Sequence, residues 1–130
     1  MNTSKISITI VSGSLERLQM AAMVASVGAV SGSEVCVFLS MNSLQYFIKD
    51  SDSSAPAEGS FGEVMANKNV PGFKSLFESA VELGDAKIYP CSMAMDILET
   101  EAEDLEPYLS EPLGLTKFLS IAADSQIWTF

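Results

Sequence analysis

The chain has 130 residues, a net charge of −10 and no histidine. This length is typical of one domain, which can bury enough apolar surface to fold without a disulfide or a structural metal. The acidic excess disfavours nucleic acid and anionic lipid as partners, and the absence of histidine excludes cysteine–histidine zinc sites and cysteine–histidine or serine–histidine catalytic pairs within one chain.

The first third of the chain predicts two strands and two helices. Lys5 to Ser12 alternates and is rich in β-branched residues, which is typical of a strand. Leu15 to Val30 has helical spacing but is apolar almost all round, so we expect it to be covered on both sides or to meet a second subunit. Glu34 to Leu39 is a nearly continuous apolar run, as in a central parallel strand, and Met41 to Ile48 predicts a short helix.

The remainder begins with Asp50 to Ser60, whose composition predicts a flexible loop and leaves open whether it forms a lid. Pro71 begins a helix whose apolar residues keep a 3.6-residue period until Gly84. The later predicted elements are a strand at Ala86 to Pro90, a helix at Ser92 to Glu99, a strand or turn at Leu105 to Leu109, a helix at Leu113 to Ala123 and a strand at Ser125 to Phe130.

Strands that alternate with helices predict one layered α/β domain over residues 1–130, with a mostly parallel sheet and right-handed crossovers. Ligands of such sheets bind beyond the carboxyl ends of the strands. Three predicted loops lie there: Ser12-Gly13-Ser14, Ser40-Met41-Asn42 and Pro90-Cys91-Ser92.

Cys91 is the candidate nucleophile of the chain. It stands where a predicted strand gives way to a helix, so its thiol would face free backbone N–H groups and the positive end of a helix dipole, which favour the thiolate. The alternative is a small apolar residue that packs at this junction. Cys36 lies in the middle of a predicted central strand, where apolar surroundings favour a structural role.

The first loop and the helix after it offer weaker candidates. Ser12-Gly13-Ser14 resembles a phosphate cradle, but it lacks the glycine-rich motifs of nucleotide sites, and a tight turn with a helix cap explains it as well. Arg17, the only arginine, could bind an anionic sulfur group of a substrate or be an exposed helix charge. Met93 could form an adaptable docking surface beside the thiol or fill the core.

These residues resemble the DsrE/DsrF-like sulfurtransferase family, and within it the branch labelled peroxiredoxin-like. The resemblance covers nearly the whole chain, and the motif around Cys91 is its most specific part. The matching segments are Ser12-Gly13 before a helix with a basic residue, Glu34-Val35-Cys36-Val37-Phe38, Glu82-Leu83-Gly84, and Tyr89-x-Cys91-x-Met93-x-Met95-Asp96.

The resemblance implies a three-layer α/β/α domain with a mostly parallel, five-stranded sheet, which assembles into a homo-oligomer such as a dimer or trimer. It implies that Cys91 holds sulfur as a persulfide or thiosulfonate and exchanges it with donor and acceptor proteins or small sulfane-sulfur compounds. No metal and no cofactor are expected. The predicted substrate-binding residues are Ser12, Gly13, Ser14, Arg17, Met41, Asn42, Ser92 and Met93.

Three other functions are considered at the level of sequence, of which flavin or nucleotide binding in the crevice at the strand ends is disfavoured by the poor phosphate loop. The chain could be a non-catalytic interaction subunit of a sulfur-metabolism assembly in which Cys91 is inert, or a thiol peroxidase with one cysteine that depends on an external thiol. We also expect a cytoplasmic protein without a membrane partner, because no segment has the length and apolar character of a membrane span and the N-terminus lacks signal-peptide features.

Overall fold

Four parallel strands form the sheet of the computed structural model, which describes residues 4–130. The strands are β1 Lys5–Ile10, β2 Glu34–Leu39, β3 Lys87–Pro90 and β4 Gln126–Thr129. Their order across the sheet is β3-β2-β1-β4, and every neighbouring pair is parallel. The predicted single α/β domain with a parallel sheet is therefore confirmed in class.

The expected fifth strand was wrong, since the described part of the chain has four strands. The candidate segment at Leu105 to Leu109 forms only an isolated antiparallel bridge, between Leu105 and Ile48. Its remaining residues form a turn instead of a ladder, with the Leu109 amide bonded to the carbonyl of Glu106 at 3.2 Å.

An irregular segment borders the outer edge of β3, where a further strand could have paired. The amides of Ser110 and Leu113 donate to the carbonyl oxygens of Ile88 and Pro90 at 2.7 and 3.0 Å. Pro112 lies between these two donors and has no N–H group, so a regular strand ladder cannot form across this stretch.

Within residues 4–130, five α-helices connect or follow the strands. The helix predicted at Leu15 to Val30 is confirmed with the same bounds, and the helix predicted to follow Pro71 begins two residues after it. The segment 61–70 contains most of one short helix. The helices are α1 Leu15–Val30, α2 Ser60–Ala66, α3 Phe73–Gly84, α4 Ser92–Leu98 and α5 Leu115–Ile121, with 3₁₀ helices at Met41–Phe47 and Ala102–Asp104.

Helices cover both faces of the sheet. On one face, α1 lies so close that a Cβ atom added to Gly28 would be 3.1 Å from Ile6 Cδ1 and 3.3 Å from Val35 Cγ2. On the other face, the ring of Phe118 from α5 stacks on Phe38 of β2, with centroids 4.8 Å apart. Because side chains alternate along a strand, Val35 and Phe38 point to opposite faces, so β2 has helices on both of its sides.

The long helix α1 is buried on one side only. Its buried side consists mainly of leucine and alanine, which lets the backbone approach the sheet closely. Four large apolar residues of the other side stay exposed within the single chain: Met20, Met23, Val27 and Val30. None of the helices in residues 4–130 has the length and apolar character to cross a membrane.

Candidate functional site

Cys91 stands at the junction of β3 and α4, as the sequence predicts, and backbone hydrogen bonds hold it from two sides. Its amide donates to the carbonyl of Leu39 at the end of β2, at 2.9 Å, and its carbonyl accepts from the amide of Met95 at 3.0 Å. The amide of Ser92 donates to Leu113 at 2.9 Å. The cysteine is therefore the N-cap residue of α4, in a position fixed by the sheet on one side and by the segment before α5 on the other.

A cavity of about 330 Å³ opens beside Cys91 at the carboxyl ends of β1, β2 and β3. Of the residues that the sequence proposes for substrate binding, Met41, Ser92 and Met93 line it together with Cys91. The rest of the lining consists of residues that the sequence interpretation did not name as binding residues: Thr9, Val11, Phe38, Ser40, Gly114 and Leu115.

Cys91 lines this cavity and is only 5% exposed, so the residue is largely shielded from solvent. Around it, the side chains of Val11, Met41, Met93 and Leu115 are 42 to 56% exposed and form an apolar rim. Among the described residues that line the cavity, none has a charged side chain. A molecule that reaches the sulfur must therefore pass between apolar side chains.

Ser40 is the polar residue of this cavity that sequence reasoning missed as a binding residue. It is only 6% exposed, and its hydroxyl makes no hydrogen bond within residues 4–130, although its backbone amide donates to Ile10 at 3.0 Å. Within the described chain, every side-chain oxygen or nitrogen that is fully shielded from solvent has a hydrogen-bond partner. The Ser40 hydroxyl has no partner, so it is not fully shielded and keeps access to the cavity that the residue lines. Its position directly after β2 was the signal that could have identified it.

Three other predicted residues, Gly13, Ser14 and Asn42, line a separate cavity of about 340 Å³ that does not include Cys91. Tyr46 donates its hydroxyl hydrogen to the carbonyl of Gly13 at 2.9 Å. A Cβ atom at Gly13 would lie 3.0 Å from the Cβ of Asn42. Close packing against the 3₁₀ helix thus accounts for the glycine. The structure divides six of the eight predicted binding residues between two cavities.

Ser12 and Arg17 line neither of these cavities. The hydroxyl of Ser12 accepts the amide hydrogen of Ser14 at 3.0 Å, as in a turn that precedes a helix. Arg17 forms an ion pair with Glu58, with Nε and Oε1 2.8 Å apart, and Ser14 donates to the same oxygen at 3.1 Å. These two hydrogen bonds, with Arg17 as the larger cause, lower the pKa of the Glu58 carboxyl.

The acidic loop, residues 50–60, is attached to the start of α1 through Glu16. The carboxylate of Glu16 accepts the amides of Glu58 at 2.7 Å, Gly59 at 2.8 Å and Gly62 at 3.2 Å. These backbone hydrogen bonds, above all that of Glu58, lower the pKa of Glu16. None of residues 50–60 lines the Cys91 cavity, so in this structure the loop packs on α1 and does not cover the thiol.

Cys36 lies within β2 and is 5% exposed, in agreement with the structural role predicted for it. Burial raises the pKa of its thiol, which disfavours the reactive thiolate. Within residues 4–130, no three histidine, cysteine or acidic side chains come together in an arrangement suited to a metal ion.

Comparisons with known proteins bear on the fold and on the family. The chain matches the crystal structure of the ychN protein from E. coli with a TM-score of 0.70 and 13% identity, over 99% of this chain and 100% of that one. It matches MTH1491 from Methanobacterium thermoautotrophicum, a protein of unknown function, with a TM-score of 0.58 and 8% identity, over 98% and 99% of the two chains. These likenesses show a shared fold.

No curated protein matches the sequence. The family model described as DsrE/DsrF/DrsH-like matches residues 53–130, which is more than half of the chain and includes the Cys91 motif. The chain therefore belongs to the DsrE/DsrF/DrsH-like family.

Proposed function

We propose that this protein is a sulfur carrier that accepts a sulfane sulfur on Cys91 and passes it to an acceptor thiol. Its family is broadly linked to sulfur relay. The observation that supports the role of Cys91 most strongly is the cavity that leads to its thiol at the carboxyl ends of three strands, where α/β proteins of this kind bind ligands.

The transfer needs one thiol and no metal or cofactor. The Cys91 thiolate attacks the outer sulfur of a donor persulfide R–S–SH, the S–S bond breaks, and R–S⁻ leaves with the electron pair, so that Cys91–S–SH forms. An acceptor thiolate then attacks the outer sulfur, and the Cys91 thiolate is the leaving group. A thiosulfonate form would require a donor such as tetrathionate, in which the Cys91 thiolate attacks an inner sulfur, the central S–S bond breaks, thiosulfate leaves with the electron pair and Cys91–S–S–SO₃⁻ forms.

Local structure supports this chemistry through the start of α4 and through the wall of the cavity. No side chain caps α4, and of its first-turn amides that of Ser92 is bonded to Leu113, which leaves the amides of Met93 and Ala94 to stabilise negative charge. Met41, Ser92 and Met93 would contact the donor from the cavity wall. Gly13, Ser14 and Asn42 belong to the neighbouring cavity, and Ser12 and Arg17 to the turn and ion pair beside it, so in this proposal these residues position loops.

The partners in this proposal are sulfur donor and acceptor proteins or small sulfane-sulfur compounds, together with further copies of the chain. The exposed apolar side of α1 supports a homo-oligomer, because side chains as large as Met20 and Val27 gain stability when a neighbouring subunit covers them. A cytoplasmic location stays a prediction from the sequence.

Intact-protein mass spectrometry tests the role of Cys91. After incubation with a persulfide donor, we expect wild type and Cys36→Ser to gain sulfur atoms that a reductant removes, and Cys91→Ser to gain none. Cys36→Ser is the matched control because it removes the other thiol of the chain. A Cys91→Ser protein that gains the same sulfur atoms as wild type would contradict the proposal.

A second candidate, the non-catalytic interaction subunit, is favoured by the low exposure of Cys91, which is also what a packing cysteine shows. The same experiment separates the two. An interaction subunit would gain no sulfur on Cys91 while folded and would react only after unfolding. Oxidation of Cys91 by peroxide without any gain of sulfane sulfur would instead indicate the one-cysteine peroxidase.

A further inference from the structure

We propose that the Cys91 cavity selects uncharged sulfur donors and discriminates against anionic donors such as thiosulfate and tetrathionate. The inference deepens the proposed function, on which it rests, because it names the substrate class that this thiol accepts. Organic polysulfides and other uncharged compounds with divalent sulfur belong to the favoured class.

The lining of the cavity is the first reason. Cys91 is buried beneath an apolar rim, and among the described residues of the wall none has a charge that could pair with an anion. An anion that enters would lose water without gaining a counter-charge, which costs far more than the entry of a neutral molecule of the same size. A neutral divalent sulfur gains from the same apolar contacts.

The hydroxyl of Ser40 is the second reason, and it independently indicates a ligand. Ser40 is more than nine-tenths buried, lines the cavity and leaves its hydroxyl without a partner among the described residues. The hydroxyl keeps access to the cavity, so a ligand atom there can pair with it without displacing an internal hydrogen bond of the chain. One neutral hydroxyl suits a lone pair on sulfur or on a neutral oxygen.

The position of the cationic groups is the third reason. Arg17, the only arginine, is engaged by Glu58 at 2.8 Å and does not line the Cys91 cavity. The net charge of −10 further lowers the local concentration of anions at the surface. Among the described residues, the lining therefore offers an anionic donor no charged side chain, and the overall field of the protein disfavours it.

Three methanethiosulfonates with the same reacting sulfur test this selectivity: the neutral methyl compound, the anionic sulfonatoethyl compound and the cationic trimethylammonioethyl compound. With each, the Cys91 thiolate attacks the sulfenyl sulfur, the sulfur–sulfonyl bond breaks, methanesulfinate leaves with the electron pair, and a mixed disulfide forms. Rates are measured on Cys36→Ser protein, which has one thiol, and divided by the rate of β-mercaptoethanol with the same reagent.

We expect the neutral compound to have the highest normalised rate and to exceed the anionic one by about tenfold or more. Equal normalised rates would overturn the proposal. A normalised rate that rises steadily from the anionic to the neutral to the cationic compound, with differences that high salt abolishes, would also overturn the proposal. The overall field of the protein alone would then explain the order. A thiol that reacts with none of the three while folded would also overturn the proposal.

A rim variant tests the cavity directly. Leu115→Lys introduces a cation at the rim, and we expect it to raise the anionic rate severalfold relative to the neutral rate. Leu83→Lys makes the same charge change at an exposed residue of α3, which does not line the cavity, and should leave the ratio unchanged. Equal effects of the two variants would contradict a role for the lining.

These measurements can fail separately from the proposed function. The methanethiosulfonates report which molecules reach Cys91 whether or not the protein ever holds sulfane sulfur. A protein that shows the neutral preference but gains no sulfur from persulfide would keep the selectivity and lose the carrier role. A protein that gains sulfur but shows no preference for the neutral compound would keep the carrier role and lose the selectivity.

Discussion

Ser40 precedes the 3₁₀ helix Met41–Phe47 and Ser43 lies within it, and the two residues have opposite roles. Ser43 is fully buried and donates its hydroxyl hydrogen to a carbonyl, that of Ile10 at 3.0 Å or that of Ser40 at 2.7 Å. Ser40 uses only its backbone within the described chain, and its hydroxyl remains for the cavity. Ser43 therefore stabilises the local backbone, whereas Ser40 can contact a sulfur donor in the cavity.

Ser40→Ala should lower the rate at which Cys91 reacts with a neutral sulfur donor by severalfold and leave stability nearly unchanged, because it removes no hydrogen bond of the folded chain. Ser43→Ala should instead lower the free energy of unfolding by about 1 kcal/mol, because it deletes a buried donor. Urea unfolding and reaction kinetics with the neutral methanethiosulfonate measure both. A Ser40→Ala protein that reacts like wild type would remove Ser40 from the site.

At the residue scale, the sequence located Cys91 but only part of its surroundings. Strand-end logic indicated the loops that contain Met41 and Ser92, and the structure has both residues, with Met93, in the lining of the Cys91 cavity. That logic could not separate the two faces of each loop, so Gly13 and Asn42, which belong to the adjacent cavity, looked equivalent. Which hydroxyl lacks a partner depends on contacts between distant segments, and one sequence does not contain them.

At the scale of elements, the close packing of α1 on α3 depends on Gly84. A Cβ atom there would collide with the Cβ of Ala29 and would lie 2.7 Å from its carbonyl carbon. Gly84→Ala should therefore reduce the free energy of unfolding by about 1 to 3 kcal/mol, as overpacked positions do. Glu82→Ala, an exposed change in the same helix, is the control for urea denaturation. Equal midpoints for the two variants would show that the helices separate freely.

The attachment of the acidic loop to α1 should depend on pH. Because Glu16 has a lowered pKa in the folded chain, its stabilising bonds are fully present above its ordinary pKa of 4.5 and are lost as the pH falls through the lower, folded value. Hydrogen-exchange protection of the Glu58, Gly59 and Gly62 amides, corrected for intrinsic rates, should fall over that range. Glu16→Gln should show weak protection at neutral pH and little further change on acidification.

The pH is lowered until Glu16 is fully protonated. If hydrogen-exchange protection of the three amides stays constant over that range, other contacts hold the loop. The sequence predicted this segment as a flexible loop from its composition alone. Its attachment depends on a carboxylate more than forty residues away along the chain, as the 2.7 Å bond from the Glu58 amide shows.

Element identity was mostly predictable, since the period of α3 and the apolar run of β2 are strong local signals. The strand count was not. The resemblance implied five strands, but Pro112 interrupts the backbone donors beside β3, and the adjoining segment makes only scattered bonds to that edge. Pairing at a sheet edge depends on such long-range geometry, which local patterns do not specify.

For the whole molecule, the exposed side of α1 predicts assembly. Val27 is 66% exposed at the centre of that side, so Val27→Asp should convert the proposed homo-oligomer into monomers by placing a charge in the interface. Ile97→Asp makes the same kind of change at a residue of α4 that is 70% exposed, and should leave the oligomer intact. Sedimentation velocity measures the masses. A monomeric wild type, or a Val27→Asp protein of unchanged mass, would contradict this assignment.

The most direct test of the account is transfer of a labelled sulfur. The protein is loaded from a persulfide that contains heavy-isotope sulfur in its outer position and is then separated from the donor. It is mixed with an acceptor thiol, and mass spectrometry measures the masses of the protein and of the acceptor. We predict that the label is found on Cys91 first, then on the acceptor, and that Cys91→Ser transfers none while Cys36→Ser transfers it normally. Label that never resides on Cys91, or that reaches the acceptor equally well from Cys91→Ser protein, would contradict a sulfur carrier built on this cysteine.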